Sequence, residues 1–329
     1  MTHDRPTRAL DAAIAAFVGH QRILGRRYYG EEGVLRSLRH FVVAQRGTDL
    51  TASIFELWCH AQCDLSPNTR YSRQLLVRKL CLFRRRREPN CFVPDPTGFA
   101  RRRPYRRAVI VTPAQIGRML RAAAGFGSSQ HCPMRPAVMR IALVLLYSAG
   151  LRRGEITRLT LADIDHREGI IYVRESKFHK SRWVPLSADA CRELRRYLRV
   201  RRRHGAAFDA PLLCNCSRGY GHVGWHGYSG ESLTAGIRAL FARADVRDAE
   251  GRRPNLRDLR HSFAVQALRR HYRADGDVQT FLPKLSLYMG HVSIVSTAHY
   301  LQFTPDIARL ASERFRQHFS CLIAPEAGT

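Results

Sequence analysis

A nearly continuous apolar run in the middle of the chain constrains the fold more than any other feature of the sequence. The run spans residues 141–147, Ile-Ala-Leu-Val-Leu-Leu-Tyr. Pro136 precedes it and Gly150 follows it, which is typical of a helix that begins and ends near these positions. Because such a helix is apolar on every side, it is expected to lie inside a core. The chain that follows Gly150 should therefore pack against that core.

Apolar spacing elsewhere predicts a chain built mainly of helices. Between Ala9 and Arg87 apolar residues recur three and four positions apart, which places them on single faces of short helices. Thr112 with Pro113, and Ser187, are typical helix starts. Later helices are predicted at 233–241, 258–272, 281–289 and 293–300, with a last one from Pro305.

Two short β-branched and aromatic runs interrupt this helical pattern. Residues 170–173 and 183–186 read as two strands, joined by the polar turn 176–182. The predicted fold class is therefore mainly α with a small β-sheet.

A change in composition divides the chain into two domains. A length of 329 residues is enough for two domains that each bury a core. Residues 89–107 contain four prolines, a glycine and five arginines, which cannot sustain a helix. We therefore predict a helical domain at 1–88, a basic linker at 89–107 and a second domain at 108–329.

The charge balance indicates a polyanionic partner. Lys and Arg number 55 against 27 Asp and Glu, which gives a formal net charge of +28. The arginines recur in clusters along the chain rather than in one tail. No apolar run approaches the roughly 20 residues that span a membrane, and the first residues do not resemble a signal peptide. Double-stranded DNA is the expected partner, with no membrane, in the cytoplasm.

The nine cysteines are expected to be reduced thiols rather than a disulfide framework. Two segments, Cys59-His60-Ala61-Gln62-Cys63 and Cys214-Asn215-Cys216, offer thiol and imidazole groups. Neither has the spacing typical of a zinc site, and they fall in different predicted domains. The sequence therefore predicts no metal and no cofactor.

One segment near the C-terminus predicts chemistry on phosphorus. His291 follows Gly290 and lies nine positions before Tyr300, downstream of the run Arg257-Asp258-Leu259-Arg260-His261. A tyrosine can attack phosphorus when cationic donors stabilise the charge that develops on the phosphate oxygens. His291 could instead be a capping or core residue, and Tyr300 a core aromatic.

Two further cations lie where they could reach the same phosphate. Arg152 follows the buried helix and the Gly150 turn, so its guanidinium can be held rigidly toward a groove. Lys177 lies in the turn between the two predicted strands, where it could give a proton to a leaving oxygen. Arg152 taken alone is more often a solvated surface group, Lys177 could as well be an exposed charge, and Lys180 is a rival to Lys177.

Taken together, these motifs resemble the tyrosine recombinases of the phage integrase family. The resemblance covers roughly residues 109–319, with a weaker match in the helical N-terminal domain. It implies a helical core-binding (SAM-like) domain followed by an α+β catalytic domain. In the order of the family's motifs, the matching residues are Arg152, Lys177, Arg260, His291 and Tyr300. The spacing of nine residues from His291 matches Tyr300 and not Tyr288.

One position departs from the family pattern. The family has a histidine three residues before its second arginine, and this chain has Arg257 there. An arginine has no acceptor, so Arg257 cannot take the tyrosine proton, although it can bind phosphate. His261 is a candidate substitute base, but a packing role is favoured. Glu155 matches a carboxylate that the family places near its first arginine, where it would orient that arginine.

The resemblance implies a site-specific recombinase that acts through a 3′-phosphotyrosine, in a bacterial mobile element. It also implies a homo- or hetero-tetramer on DNA, with the last helix packed on a neighbour or on its own domain. Two alternatives stay open at this point. One is an inactive recombinase homologue that serves as a DNA-binding accessory subunit, and the other is a type IB topoisomerase.

Overall fold

The fold is that of a computed structural model, which describes residues 8–104, 106–128, 132–174, 181–203, 207–219, 222–274, 276–291, 297 and 312–313. Lys177, Tyr300 and the helices predicted at 293–300 and after Pro305 lie outside the described residues. The chain divides into two compact units, residues 1–106 and 107–329. Within the described part of the chain, no helix has the length and apolar content of a membrane span.

The first unit contains four α-helices among the residues that the structure describes. They are α1 (Arg8–Ile23), α2 (Tyr29–Ala44), α3 (Ala52–His60) and α4 (Pro67–Arg85). Side-chain caps start the last two, because Thr51 accepts a hydrogen bond from the Ile54 amide and Ser66 accepts one from the Thr69 amide. The helices bury a shared core that includes Leu35, Leu38 and Val77.

Part of the predicted linker packs on this first unit. Phe99 is buried in the same core, next to a short 3₁₀ turn at Pro96–Gly98. The side-chain oxygen of Asn68 accepts a hydrogen bond from the backbone amide of Arg103. The linker boundaries at 89 and 107 stay a prediction.

The second unit contains seven helices among its described residues. They are α5 (Pro113–Ala124), α6 (Arg135–Ser148), α7 (Arg153–Ile156), α8 (Ala188–Arg202), α9 (Gly230–Arg243), α10 (Leu256–Arg273) and α11 (Val278–Met289). The predicted caps are confirmed for α5, which Thr112 starts together with Pro113, and for α8, which Ser187 starts.

The apolar helix α6 lies at the centre of the second unit, as the sequence predicts. Eight of its 14 residues are buried, and it packs against α5, α8, α9 and α10. Gly150 then turns the chain with a φ of +59°. A Cβ at Gly150 would lie 2.5 Å from the ring of Phe263 on α10, so only glycine allows this close approach. The residue after the turn, Leu151, is itself buried.

A three-stranded antiparallel sheet lies beside this core. Its strands are β1 (Ile164–Asp165), β2 (Ile170–Val173) and β3 (Arg182–Pro185), in the order β1-β2-β3. The register pairs Val173 with Arg182 and Ile171 with Val184. The predicted hairpin is thus confirmed, with β3 beginning at Arg182 rather than at Trp183.

A second hairpin was not predicted. It pairs β4 (Cys214–Gly219) with β5 (His222–Gly227) in antiparallel register. The segment 214–227 contains four Gly and two Cys, so it lacks the β-branched run by which a strand is recognised in sequence. The fold class, mainly α with small sheets, is as predicted.

Candidate active site

Arg152 is held at the start of α7 by the carboxylate of Glu155. The Nη1 atom of Arg152 donates to Glu155 Oε1 at 2.6 Å, and the backbone amide of Arg152 donates to Glu155 Oε2 at 2.9 Å. The Nη2 atom donates to the carbonyl of Gly290 at 2.6 Å, across 138 positions of sequence. The orienting ion pair expected for Glu155 is therefore present. The Arg152 side chain keeps 27% of its surface exposed.

Arg260 projects from α10 toward the ends of two other helices. Asn255 caps α10, and Arg260 lies one turn further along the helix. Its Nη1 atom donates to the carbonyl of Gly150 at 2.5 Å, and its Nη2 atom donates to the carbonyl of Met289 at 2.6 Å. Arg260 is 7% exposed. Its guanidinium therefore joins the turn before Arg152 to the end of α11.

A third arginine, Arg182, completes the group and was missed in the sequence. Its Nη1 and Nη2 atoms donate to the two oxygens of Glu155 at 3.0 and 2.9 Å. Its Nε atom donates to the carbonyl of Tyr288 at 2.8 Å. Side chains of a strand alternate between its two faces, so Arg182 lies on the same face of β3 as the buried Val184 and opposite the exposed Trp183. This alternation is the sequence pattern that could have identified Arg182 as a residue facing the interior.

The three arginines converge on the end of α11. Its last residues expose carbonyls that have no partner within the helix. The carbonyls of Tyr288, Met289 and Gly290 each accept a hydrogen bond from a different guanidinium, those of Arg182, Arg260 and Arg152 in that order. The negative end of a helix dipole favours cations at this point. The helix end thus gathers three positive charges directly before His291.

His291 follows Gly290, which closes α11 with a φ of +65°. Its amide donates to the carbonyl of Ser286 at 2.9 Å, and its Nδ1 atom shares a 2.8 Å hydrogen bond with Thr297 Oγ1. Burial, followed by the charges of Arg260 and Arg152, lowers the pKa of His291 to about 4. The imidazole is therefore neutral near pH 7.

Glu155 is the carboxylate that Arg152 and Arg182 share. Burial by itself would raise its pKa, but the hydrogen bonds and charge of Arg182, followed by those of Arg152, hold the pKa at about 2. Two guanidinium groups on this one carboxylate leave an excess of positive charge. Such a site can bind an anion with charge-assisted hydrogen bonds.

The other candidate residues fall into two groups. Arg257 is exposed in the first turn of α10, and His261 is half-buried just after Arg260. The charge of His261 contributes to the lowered pKa of His291. Lys177 and Tyr300 lie outside the described residues.

Tyr288 has a structural role. Its hydroxyl donates to the carbonyl of Pro185 at 2.9 Å, and its ring stacks on Phe263 at 5.5 Å. Burial raises the pKa of Tyr288 to about 12. A phenol with a raised pKa and an occupied hydroxyl is a poor nucleophile.

Comparison with known proteins places this site in a family. The model of the phage integrase family matches residues 110–306, more than half of the chain. Two proteins of Sinorhizobium fredii that are named as integrase/recombinases, y4rB and y4rE, are 31% and 28% identical to the chain. The alignments cover 93% of this chain in both cases, and 97% and 96% of those proteins.

The fold agrees with a solved structure of the same class. The integrase of the transposon Tn1549, solved in complex with transposon right-end DNA, superposes with a TM-score of 0.61 at 19% identity. The superposition covers 93% of this chain and 99% of that one. The resemblance that the motifs predicted is confirmed. The chain belongs to the phage integrase family, the family of tyrosine-type site-specific DNA recombinases.

Proposed function

We propose that this recombinase cuts and rejoins duplex DNA with Tyr300 as the nucleophile. The phenolate oxygen of Tyr300 attacks the scissile phosphorus, and the bond from phosphorus to the 5′-oxygen breaks. A 3′-phosphotyrosyl link holds the cut strand, so rejoining needs no nucleotide cofactor. The observation that carries the proposal is the convergence of three guanidinium groups on the end of α11, directly before His291 and upstream of Tyr300.

The phosphate is bound by Arg152, Arg260 and His291. Arg152 and Arg260 donate to neighbouring carbonyls, at Gly290 and Met289, so their guanidinium groups are close enough to share one phosphate. Donors fixed in this way stabilise the charge of the transition state without reorganising. His291 is neutral and supplies a ring N–H. Arg257 adds a cation from the first turn of α10, and Lys177 gives a proton to the departing 5′-oxygen.

The substrate is double-stranded DNA, bound by the units that the sequence predicts at 1–88 and 108–329. Basic residues outnumber acidic ones in both compact units of the chain, 20 against 9 in residues 1–106 and 35 against 18 in residues 107–329. The named relatives are integrase/recombinases, and the Tn1549 integrase was solved on transposon DNA. These names support a role in moving a mobile genetic element. The tetramer on two DNA sites, of identical or different protomers, rests on the family resemblance alone.

Covalent capture tests the proposal. The protein is incubated with fragmented DNA from the organism that carries its gene, and the DNA that stays attached after denaturation is sequenced. A duplex of the recovered sequence, nicked next to the cleavage position, then traps the covalent product. We expect an adduct with the unaltered protein, none with Tyr300→Phe, and a full yield with the matched control Tyr288→Phe. We also expect Arg257→His to keep or raise the yield.

Two results would contradict the assignment. An adduct of normal yield in Tyr300→Phe would remove Tyr300 from the reaction. Tight binding of DNA without any adduct in the unaltered protein would favour an accessory subunit.

A further inference from the structure

Arg182 has contacts that a surface arginine of a hairpin would not have. It is the first residue of β3, yet only 8% of its side chain is exposed. Its three guanidinium nitrogens donate to the two oxygens of Glu155 and to the carbonyl of Tyr288. These bonds connect the three-stranded sheet with α7 and with the end of α11. Arg182 is therefore held inside the arginine group rather than presented to solvent.

Glu155 is shared between two arginines, each of which contacts both of its oxygens. Its Oε1 atom accepts from Arg152 at 2.6 Å and from Arg182 at 3.0 Å. Its Oε2 atom accepts from the Arg152 amide and from Arg182, both at 2.9 Å. A carboxylate that orients Arg152 also opposes the positive charge of Arg152. The second guanidinium supplies the charge that balances the carboxylate.

We infer that Arg182 is a positioning residue, which compensates Glu155 so that Glu155 orients Arg152 without cancelling the charge that Arg152 offers to the phosphate. The inference rests on the proposed function, in which Arg152 binds the scissile phosphate. Arg182 itself needs no contact with DNA for this role. It acts through Glu155, and its hydrogen bond to the carbonyl of Tyr288 fixes its position relative to the end of α11.

This role predicts that a second substitution restores activity. In Arg182→Met, Glu155 remains as a buried carboxylate with Arg152 as its one remaining partner, so the ion pair holds the Arg152 charge away from the substrate. Replacing Glu155 by glutamine in that background removes the negative charge and frees Arg152. A buried ion pair that loses one partner is costly, whereas loss of both partners can be nearly neutral.

The experiment measures the single-turnover rate of adduct formation on the nicked duplex. We expect Arg182→Met to slow it by about 100-fold, comparable to the loss of one fixed donor to a developing oxyanion. We expect Arg182→Met with Glu155→Gln to be at least about tenfold faster than Arg182→Met alone. Arg140 is the matched control, because it forms a similar bidentate pair with Glu193 at 2.6 and 2.7 Å. Arg140→Met should leave the rate unchanged.

The inference is overturned if the double variant reacts no faster than Arg182→Met, or if Arg140→Met slows the reaction as much. Arg182→Lys covers the case in which Arg182→Met does not fold. It keeps the positive charge but lacks the planar fork of arginine, so we expect the rate to fall by less than in Arg182→Met. A fall in rate as large as that of Arg152→Met would also overturn the inference. Failure of the proposed function has a different result, namely normal adduct yield in Arg152→Met or Tyr300→Phe.

Discussion

At the scale of single residues, the site is defined by charges that its surroundings fix. His291 is the clearest case. It lies half-buried beside Arg260 and Arg152, and both the burial and the positive charges disfavour protonation of its ring. A neutral imidazole at pH 7 can donate from one nitrogen and accept at the other. It therefore contributes hydrogen bonds rather than a further positive charge.

The lowered pKa of His291 predicts how stability depends on pH. In the folded protein this pKa is about 4, and the ordinary value is 6.5. Between these values the unfolded chain binds the proton and the folded one does not, so the free energy of unfolding falls as pH falls from 6.5 toward 4. We expect the free energy of unfolding of His291→Gln to fall less over this pH range, as measured by urea unfolding at a series of pH values. Equal pH dependence in the two proteins would contradict this.

At the scale of elements, the end of α11 organises the site. A helix end leaves carbonyls without partners, and here three arginines from β3, α7 and α10 supply the donors. Gly290 ends the helix in the left-handed region and leaves room for Arg182, whose Nη1 atom would lie 2.9 Å from a Cβ at this position. The helix end, the glycine and the arginine therefore depend on one another.

Substitution of Gly290 tests this dependence. Gly290→Ala places a Cβ in a left-handed residue and also displaces a guanidinium held by Glu155 and Tyr288. Gly251 is the matched control, because it has a φ of +75° and a Cβ added there would meet no atom within 4 Å. We expect Gly251→Ala to lower the free energy of unfolding by about 1–2 kcal/mol. Gly290→Ala should lower the free energy of unfolding by more than this and should also slow adduct formation.

Urea unfolding and the nicked-duplex assay give the two measurements for this pair of variants. Equal losses of stability, together with normal adduct formation in Gly290→Ala, would show that Arg182 tolerates displacement. The close contact at Gly290 would then have no part in the site.

At the scale of the whole molecule, positive charge extends over both units. Residues 1–106 carry 20 basic and 9 acidic side chains, and residues 107–329 carry 35 and 18. A distribution of this kind favours contacts with many phosphates rather than with one. Binding to DNA should then be driven largely by the release of counterions.

Salt titration checks this expectation. We expect the affinity of the full chain for its recovered duplex to fall by about 10³–10⁵ between 50 and 200 mM salt, as for proteins with 6–10 phosphate contacts. Fluorescence anisotropy with Tyr300→Phe measures binding without covalent trapping. An affinity that hardly changes over this range would mean that few of the arginines reach the DNA.

Much of the fold could be predicted from the sequence because its signals are local. The apolar run of α6, the Thr112 and Ser187 caps and the β2–β3 hairpin were identified from patterns a few residues long. The β4–β5 hairpin was missed because its strands lack an apolar alternation and form by pairing with each other. Arg182 was missed because an arginine next to a polar turn is ordinarily solvated.

The sequence by itself determined most of the elements, the family and the order of the motif residues, because caps, periodicity and spacing are properties of neighbouring residues. Only the tertiary structure decided which groups meet. Arg152 and Gly290 are 138 positions apart, Arg260 and Gly150 are 110 apart, and Arg182 and Tyr288 are 106 apart. Each arginine needs an acceptor, and the carbonyls of a helix end become available as acceptors only where packing brings that end to the arginine.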